Sequence, residues 1–191
     1  MRKTEFVNGE YYHIYNRGVD KREVFLSEKD YERFILGMNL LNDEKDGLML
    51  AWRDSHKNGI AQLPKVRPLA SQRSNLRKPI VSIIAYCLNP NHYHFIVKQE
   101  QNNGIVKFMQ KLGTSYTMYF NKKYERSGVL FQGKFKSIHI NSNEYLLLLS
   151  AYVNANHEIH GFLEKDWPYS SFLDYTGKRD GKLCNKEIIL G

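Results

Sequence analysis

Two cysteines in 191 residues, Cys87 and Cys184, are too few for a disulfide framework and fit reduced thiols. Proline is scarce: of five, three (Pro64, Pro68 and Pro79) fall in one stretch. The longest uncharged apolar run, Tyr145 to Val153, is interrupted by Ser150. It falls far short of the roughly 20 residues that a bilayer span needs. The opening residues, Met1-Arg-Lys-Thr-Glu-Phe6, hold no apolar segment of the kind a secretion signal carries. Acidic residues are in deficit, 20 against 28 Lys plus Arg, giving a net charge of +8 and a pI near 9.3. These shortages exclude a disulfide-stapled scaffold and a membrane-spanning helix, and they fit a cytoplasmic protein.

What is present is ordinary globular material, 42% apolar and 25% charged, which excludes wholesale disorder. The length suits one domain over 1–191, with a basic, proline-containing loop insertion at about 57–79 and a loop-rich C-terminal segment at about 161–191. From Pro64 to Pro79 there are five basic residues (Lys65, Arg67, Arg73, Arg77, Lys78) and no acidic one. The charge excess is the footprint of a polyanion partner. Thirteen tyrosines and ten phenylalanines add stacking surface.

Hydrophobic periodicity orders the elements. Tyr11 to Asn16 reads as a strand, ended by Arg17-Gly18 with the glycine expected at positive φ. Ser27 with Asp30 makes a capping-box spacing, and Tyr31, Phe34, Ile35, Met38 and Leu41 continue as a helix. Residues 80–99 form a hairpin: strand Ile80 to Cys87, turn Leu88 to Asn91, strand His92 to Gln99. An amphipathic helix covers 104–124, a strand falls within Phe131 to Ile140, and Asn141 with Glu144 is expected to cap a helix from about 143 to 156. The order spells an α+β, ferredoxin-like sandwich: one antiparallel sheet with helices on one face, plus an extra C-terminal helix.

Two patterns carry chemistry. In His92-Tyr93-His94, residues i and i+2 of a strand share a face, so both imidazoles can converge on one metal. In the last helix, Tyr152 and Asn156 are i and i+4 and lie one turn apart. On spacing alone, both patterns also suit buried core residues. Tyr116, Tyr119 and Tyr124 compete with Tyr152 as nucleophiles. A third cluster, Lys122 to Lys136, interleaves basic and aromatic residues with Gly128 and Gly133, a mixture suited to single-stranded nucleic acid.

Four segments together resemble one family: Tyr12-His-Ile-Tyr-Asn-Arg-Gly18, Tyr86-Cys-Leu-Asn-Pro-Asn-His-Tyr-His-Phe-Ile-Val97, Ser127-Gly-Val-Leu-Phe-Gln-Gly-Lys-Phe-Lys-Ser137 and Trp167-Pro-Tyr-Ser-Ser171. The sequence resembles the single-tyrosine HUH transposases of bacterial insertion sequences, and most of all the transposases associated with repetitive extragenic palindromes. The resemblance implies that His92, His94 and Asn156 hold a divalent cation, magnesium or manganese. It implies that Tyr152 attacks a phosphate of single-stranded DNA, forming a 5′-phosphotyrosine and releasing a 3′-hydroxyl, with no nucleotide cofactor. The implied partner is a DNA hairpin, contacted by Arg17, Lys122, Lys123, Arg126, Gln132, Lys134 and Lys136; homodimerisation stays open. Relatives commonly carry Asn-Pro where this chain has Asn156-His157.

Three alternatives remain. A non-catalytic nucleic-acid-binding module of the same sandwich explains charge and aromatics but not the histidine pair with Tyr152 and Asn156. A two-histidine phosphodiesterase needs H-x-[ST] motifs, and the chain has none. A domesticated relative that binds hairpins without cleaving them fits the same residues.

Overall fold

The computed structural model describes residues 5–50, 78–162 and 166–191. Four strands, β1 (Tyr11–Arg17), β2 (Val81–Asn89), β3 (His92–Gln99) and β4 (Lys136–Ile140), form one sheet in the order β2-β3-β1-β4. Every pairing is antiparallel. With α1 (Glu28–Leu40) between β1 and β2, and α2 (Gly104–Lys123) between β3 and β4, this is the ferredoxin-like arrangement expected. Then follow α3 (Asn143–Asn154), α4 (Asn156–Ile159), α5 (Phe172–Tyr175) and α6 (Glu187–Leu190). Apart from Lys78 and Pro79, the basic 64–79 stretch lies outside the described residues. Among the described residues, no helix is long and apolar enough to cross a membrane.

The pleat sorts side chains onto two faces. Tyr93 and Phe95 of β3 meet Phe34 of α1, with ring centroids at 5.5 and 6.2 Å. Phe34 also meets the edge of Tyr116 on α2 at 4.8 Å. That face, closed by α1 and α2, holds much of the aromatic core. The opposite face carries His92 and His94 and is partly covered by α3.

Asp30 is fully buried at the first turn of α1. Its Oδ2 accepts from the backbone N–H of Leu26 and Ser27 at 2.9 and 3.0 Å, the carboxylate half of the expected capping box. Lys123 donates to Oδ1 at 2.6 Å and Tyr124 to Oδ2 at 2.7 Å, so the charge is paired and hydrogen-bonded. These bonds hold its carboxyl below the usual range against the opposing pull of burial.

Several boundaries differ from the sequence expectation. β2 runs to Asn89, past Cys87, because Leu88 and Asn89 still pair with Tyr93 and His92 of β3, while the segment 167–171 lies along its outer edge. Leu88 N–H donates to Tyr169 O and Ser171 N–H to Tyr86 O, both at 2.9 Å, while Trp167 Nε1–H reaches Leu88 O at 2.9 Å. The strand expected within 131–140 forms only from Lys136; before it, Gly133 turns at φ 68°. The cap of α3 is Ser142, whose hydroxyl accepts from Tyr145 N–H at 3.1 Å, rather than Asn141.

The helix expected to reach 156 stops at Asn154. The Asn154 carbonyl accepts from Ser170 Oγ (2.9 Å) and its side-chain oxygen from Ser171 Oγ (2.6 Å), so tail hydroxyls replace the next helical turn. Gly18 has φ −60°, not a positive value. Its lack of a side chain serves close approach instead, since a Cβ would stand 2.1 Å from the Arg22 carbonyl oxygen. The left-handed positions in that turn are Asp20 and Lys21, at φ 54° and 59°.

Candidate active site

Strand register assembles the site. His94 pairs with Cys87 on one side and Tyr15 on the other, and Tyr15 pairs in turn with Lys136. One step along, His92 pairs with Asn89 and Arg17. Directly paired residues share a face, so Asn89, His92, Arg17, His94, Tyr15 and Lys136 stand together. A cleft of about 590 Å³ opens over all of these except buried Asn89, walled further by Asn16, Lys21, Asn91, Gln132, Tyr152, His160 and Phe162.

Both strand histidines have one ring nitrogen occupied behind them. His92 Nδ1 hydrogen-bonds Asn91 Oδ1, an acceptor, so the proton sits on Nδ1 and Nε2 presents its lone pair. His94 Nδ1 lies 2.8 Å from Nε2 of buried His13. An outer partner on Nδ1 is what orients a metal-binding imidazole.

His92 Nε2 stands 3.2 Å from Asn156 Oδ1, two acceptors facing each other. Fully buried Asn89 satisfies both, its Nδ2 donating to Nε2 at 2.9 Å and to Oδ1 at 2.7 Å. Two converging lone pairs neutralised only by an amide suit a cation. Burial pushes His13 and His92 down to about 4 and His94 to about 2, with neighbouring His160 adding to the effect on His92 and His94. All three are neutral at pH 7, the form that binds a metal.

Tyr152 projects from α3 over this floor. It is 37% exposed, and its ring meets His94 and His13 edge-on at 6.0 and 6.5 Å. The competing tyrosines are engaged elsewhere. Tyr116 donates to Val24 O, and Tyr119 and Tyr124 donate to Asp30.

Of the sequence-proposed site residues, the structure brings together His92, His94, Asn156, Tyr152, Arg17, Gln132 and Lys136. Arg17 and Gln132 bond each other through their side chains, and Gln132 N–H donates to Arg17 O at 2.8 Å. Lys123 is committed to Asp30 and Ser27. Arg126 packs over Phe120 and donates to Asn121, and neither it nor Lys122 lines the cleft. Lys134 lines a separate, mostly apolar hollow of about 710 Å³ beside α2, which meets the cleft at Asn16.

Sequence reasoning missed His13, Tyr15, Lys21, Asn91 and His160. Alternation along β1 from Arg17 through Tyr15 to His13 was the available signal for two of them. His160 gave none, since it follows a helix break.

Fold and site together set a paired-histidine strand of a ferredoxin-like sheet beneath a helix-borne tyrosine. The family model for IS200-like transposases matches residues 66–156 of the chain. The chain is 32% identical over 102 residues to a REP-associated tyrosine transposase of Haemophilus influenzae (strain Rd KW20), a match covering 47% of this chain and 57% of that one. The chain thus spans less than two thirds of that relative. The fold is also that of a solved REP-associated tyrosine transposase bound to a REP hairpin, with TM-score 0.60, 15% identity, and coverage of 93% of this chain and 86% of the other.

Proposed function

We propose that the protein cuts and rejoins single-stranded DNA beside a hairpin through a covalent bond to Tyr152. The observation that carries this is the placement of the Tyr152 ring against His94, at the mouth of a cleft floored by neutral histidines and edged by Arg17, Lys21 and Lys136. An ordinary phenol is protonated at pH 7 and attacks poorly unless its target is made electrophilic. His92 and His94, with the Asn156 oxygen beside them, would hold a divalent cation, which withdraws charge from a phosphate.

Arg17, Lys21 and Lys136 hold the DNA backbone against the sheet. Gln132, bonded to Arg17, fixes the direction of that guanidinium. The Tyr152 oxygen bonds to phosphorus as its proton departs. The bond from phosphorus to the 3′-oxygen breaks, and that oxygen leaves as a hydroxyl. The phosphotyrosine stays on the 5′ side, so a second 3′-hydroxyl can reverse the step and join strands.

The test is a denaturing gel with labelled hairpin DNA and a divalent ion. Tyr152→Phe should abolish the adduct and leave hairpin binding intact, because only one half-exposed hydroxyl is lost. Tyr116→Phe and Tyr124→Phe should keep the adduct. An adduct that survives Tyr152→Phe refutes the assignment; hairpin binding with no adduct in the unaltered protein identifies a binder that does not cleave.

A further inference from the structure

We propose that His160 is a further ligand of the same metal site, and that the resulting three-imidazole set selects transition ions such as Mn²⁺ and Co²⁺ over Mg²⁺. The inference rests on the metal site proposed above but not on the tyrosine chemistry.

The break after Asn154 is what brings His160 in. Were α3 to continue as one helix, residue 160 would lie two turns beyond Tyr152. Instead α4 starts afresh at Asn156, and His160 closes it, its N–H bonding to Asn156 O at 3.2 Å. Residues 156 and 160 are then one turn apart on one side. Asn156 points into the protein toward His92, while His160 lies at the rim of the cleft.

The His160 ring stands 4.5 Å from that of His92, at 74°. One nitrogen from each of His92, His94 and His160 lies within 4.8 Å of the others. Donors around an ion with bonds of about 2.1 Å are separated by roughly 3 to 4 Å, so a small side-chain rotation closes the set. Exposure and hydrogen bonding leave the ring available. His160 is exposed, and among the described residues no hydrogen bond holds its side chain. Its neighbour His157 is the opposite case, buried and stacked on Trp167 at 6.2 Å.

The ion class follows from ligand chemistry. Mg²⁺ favours oxygen ligands and retained water, whereas the affinity of a nitrogen-rich site rises along the first-row ions from Mn²⁺ to Co²⁺. Three nitrogens against one amide oxygen disfavour Mg²⁺. Two histidines with the amide would leave the choice more even.

The experiment uses the full chain, stripped of metal and free of DNA. Mn²⁺ and Mg²⁺ are titrated by calorimetry, and Co²⁺ by visible absorption, which responds to the number of nitrogen ligands. The unaltered protein should bind Mn²⁺ and Co²⁺ more tightly than Mg²⁺. His160→Ala should weaken both by at least about tenfold, the scale on which even outer-shell losses are felt, and should change the Co²⁺ spectrum. Mg²⁺ binding should change much less. Because His160 is exposed, thermal unfolding should confirm a folded variant.

Unchanged Co²⁺ affinity and spectrum in His160→Ala would overturn the proposal while leaving His92 and His94 as ligands. Absence of binding by the unaltered protein would overturn this proposal and the metal role together, whatever the adduct gel shows.

Discussion

His13 lies on β1, far in sequence from the paired histidines, yet its removal should disable them. It is 5% exposed, and its Nε2 is 2.8 Å from His94 Nδ1. For His94 to offer Nε2 to a cation, its proton must sit on Nδ1 and donate to His13. His13→Leu keeps most of the volume but takes the acceptor away. The Nδ1–H of His94 then faces apolar surroundings, an unsatisfied buried donor costing about 1–3 kcal/mol. Moving the proton to Nε2, or turning the ring, relieves that cost but withdraws the lone pair. Losing such an outer partner typically weakens metal affinity about 10- to 100-fold.

Calorimetric titration of the metal-free variant with Mn²⁺ measures this directly. His13→Gln, whose Oε1 can accept from His94, should recover much of the loss, which a purely structural role would not allow. If His13→Leu folds and binds Mn²⁺ with unaltered affinity, the orientation of His94 does not depend on His13.

Hairpin binding should weaken with salt. The double substitution Arg17→Ala, Lys136→Ala should flatten the log–log slope by about 1.4, at about 0.7 counterions per single-strand phosphate contact. Lys123→Ala should leave that slope unchanged and lower the unfolding midpoint, since its partner is Asp30; a changed slope would place Lys123 on the DNA. Acid should destabilise the fold well before the carboxylates titrate. His13 titrates near 4 when folded and near 6.5 when unfolded, so the unfolded chain takes up the proton first. Its contribution is complete above about pH 6.5 and falls away as the pH drops to 4, by of order 3 kcal/mol there. Urea midpoints of the metal-free protein at pH 7, 5.5 and 4.5 check this, and a flat series would contradict it.

Much of this architecture was legible in the sequence because it rests on local periodicity. The alternation at His92, Tyr93 and His94 set both the strand and the side on which the histidines stand. The period of Phe108, Leu112 and Tyr116 marked the long helix. What escaped was decided by tertiary contacts. The end of α3 carries no glycine or proline; Ser170 and Ser171, sixteen and seventeen residues further on, take the acceptors of Asn154. With that break unseen, His160 had no reason to be placed near His92. Likewise Lys123 looks like a nucleic-acid lysine until the fold brings Asp30 to it. His13 needed the register of β1 against β3, which no single strand reveals.

The tail segment 167–171 ties together two elements that support the cleft. It bonds to the outer edge of β2, which supplies Asn89, and to the last turn of α3, which supplies Tyr152. A helix so short has little stability of its own in water. The sheet edge and α3 therefore share one fastening, and they should open as one cooperative unit rather than separately. Slow exchange of the β2 edge amides and slow exchange along α3 are then two readouts of a single event, the lifting of Trp167 to Ser171. Tyr152, mounted in this way, inherits its rigidity from a segment well beyond its own helix.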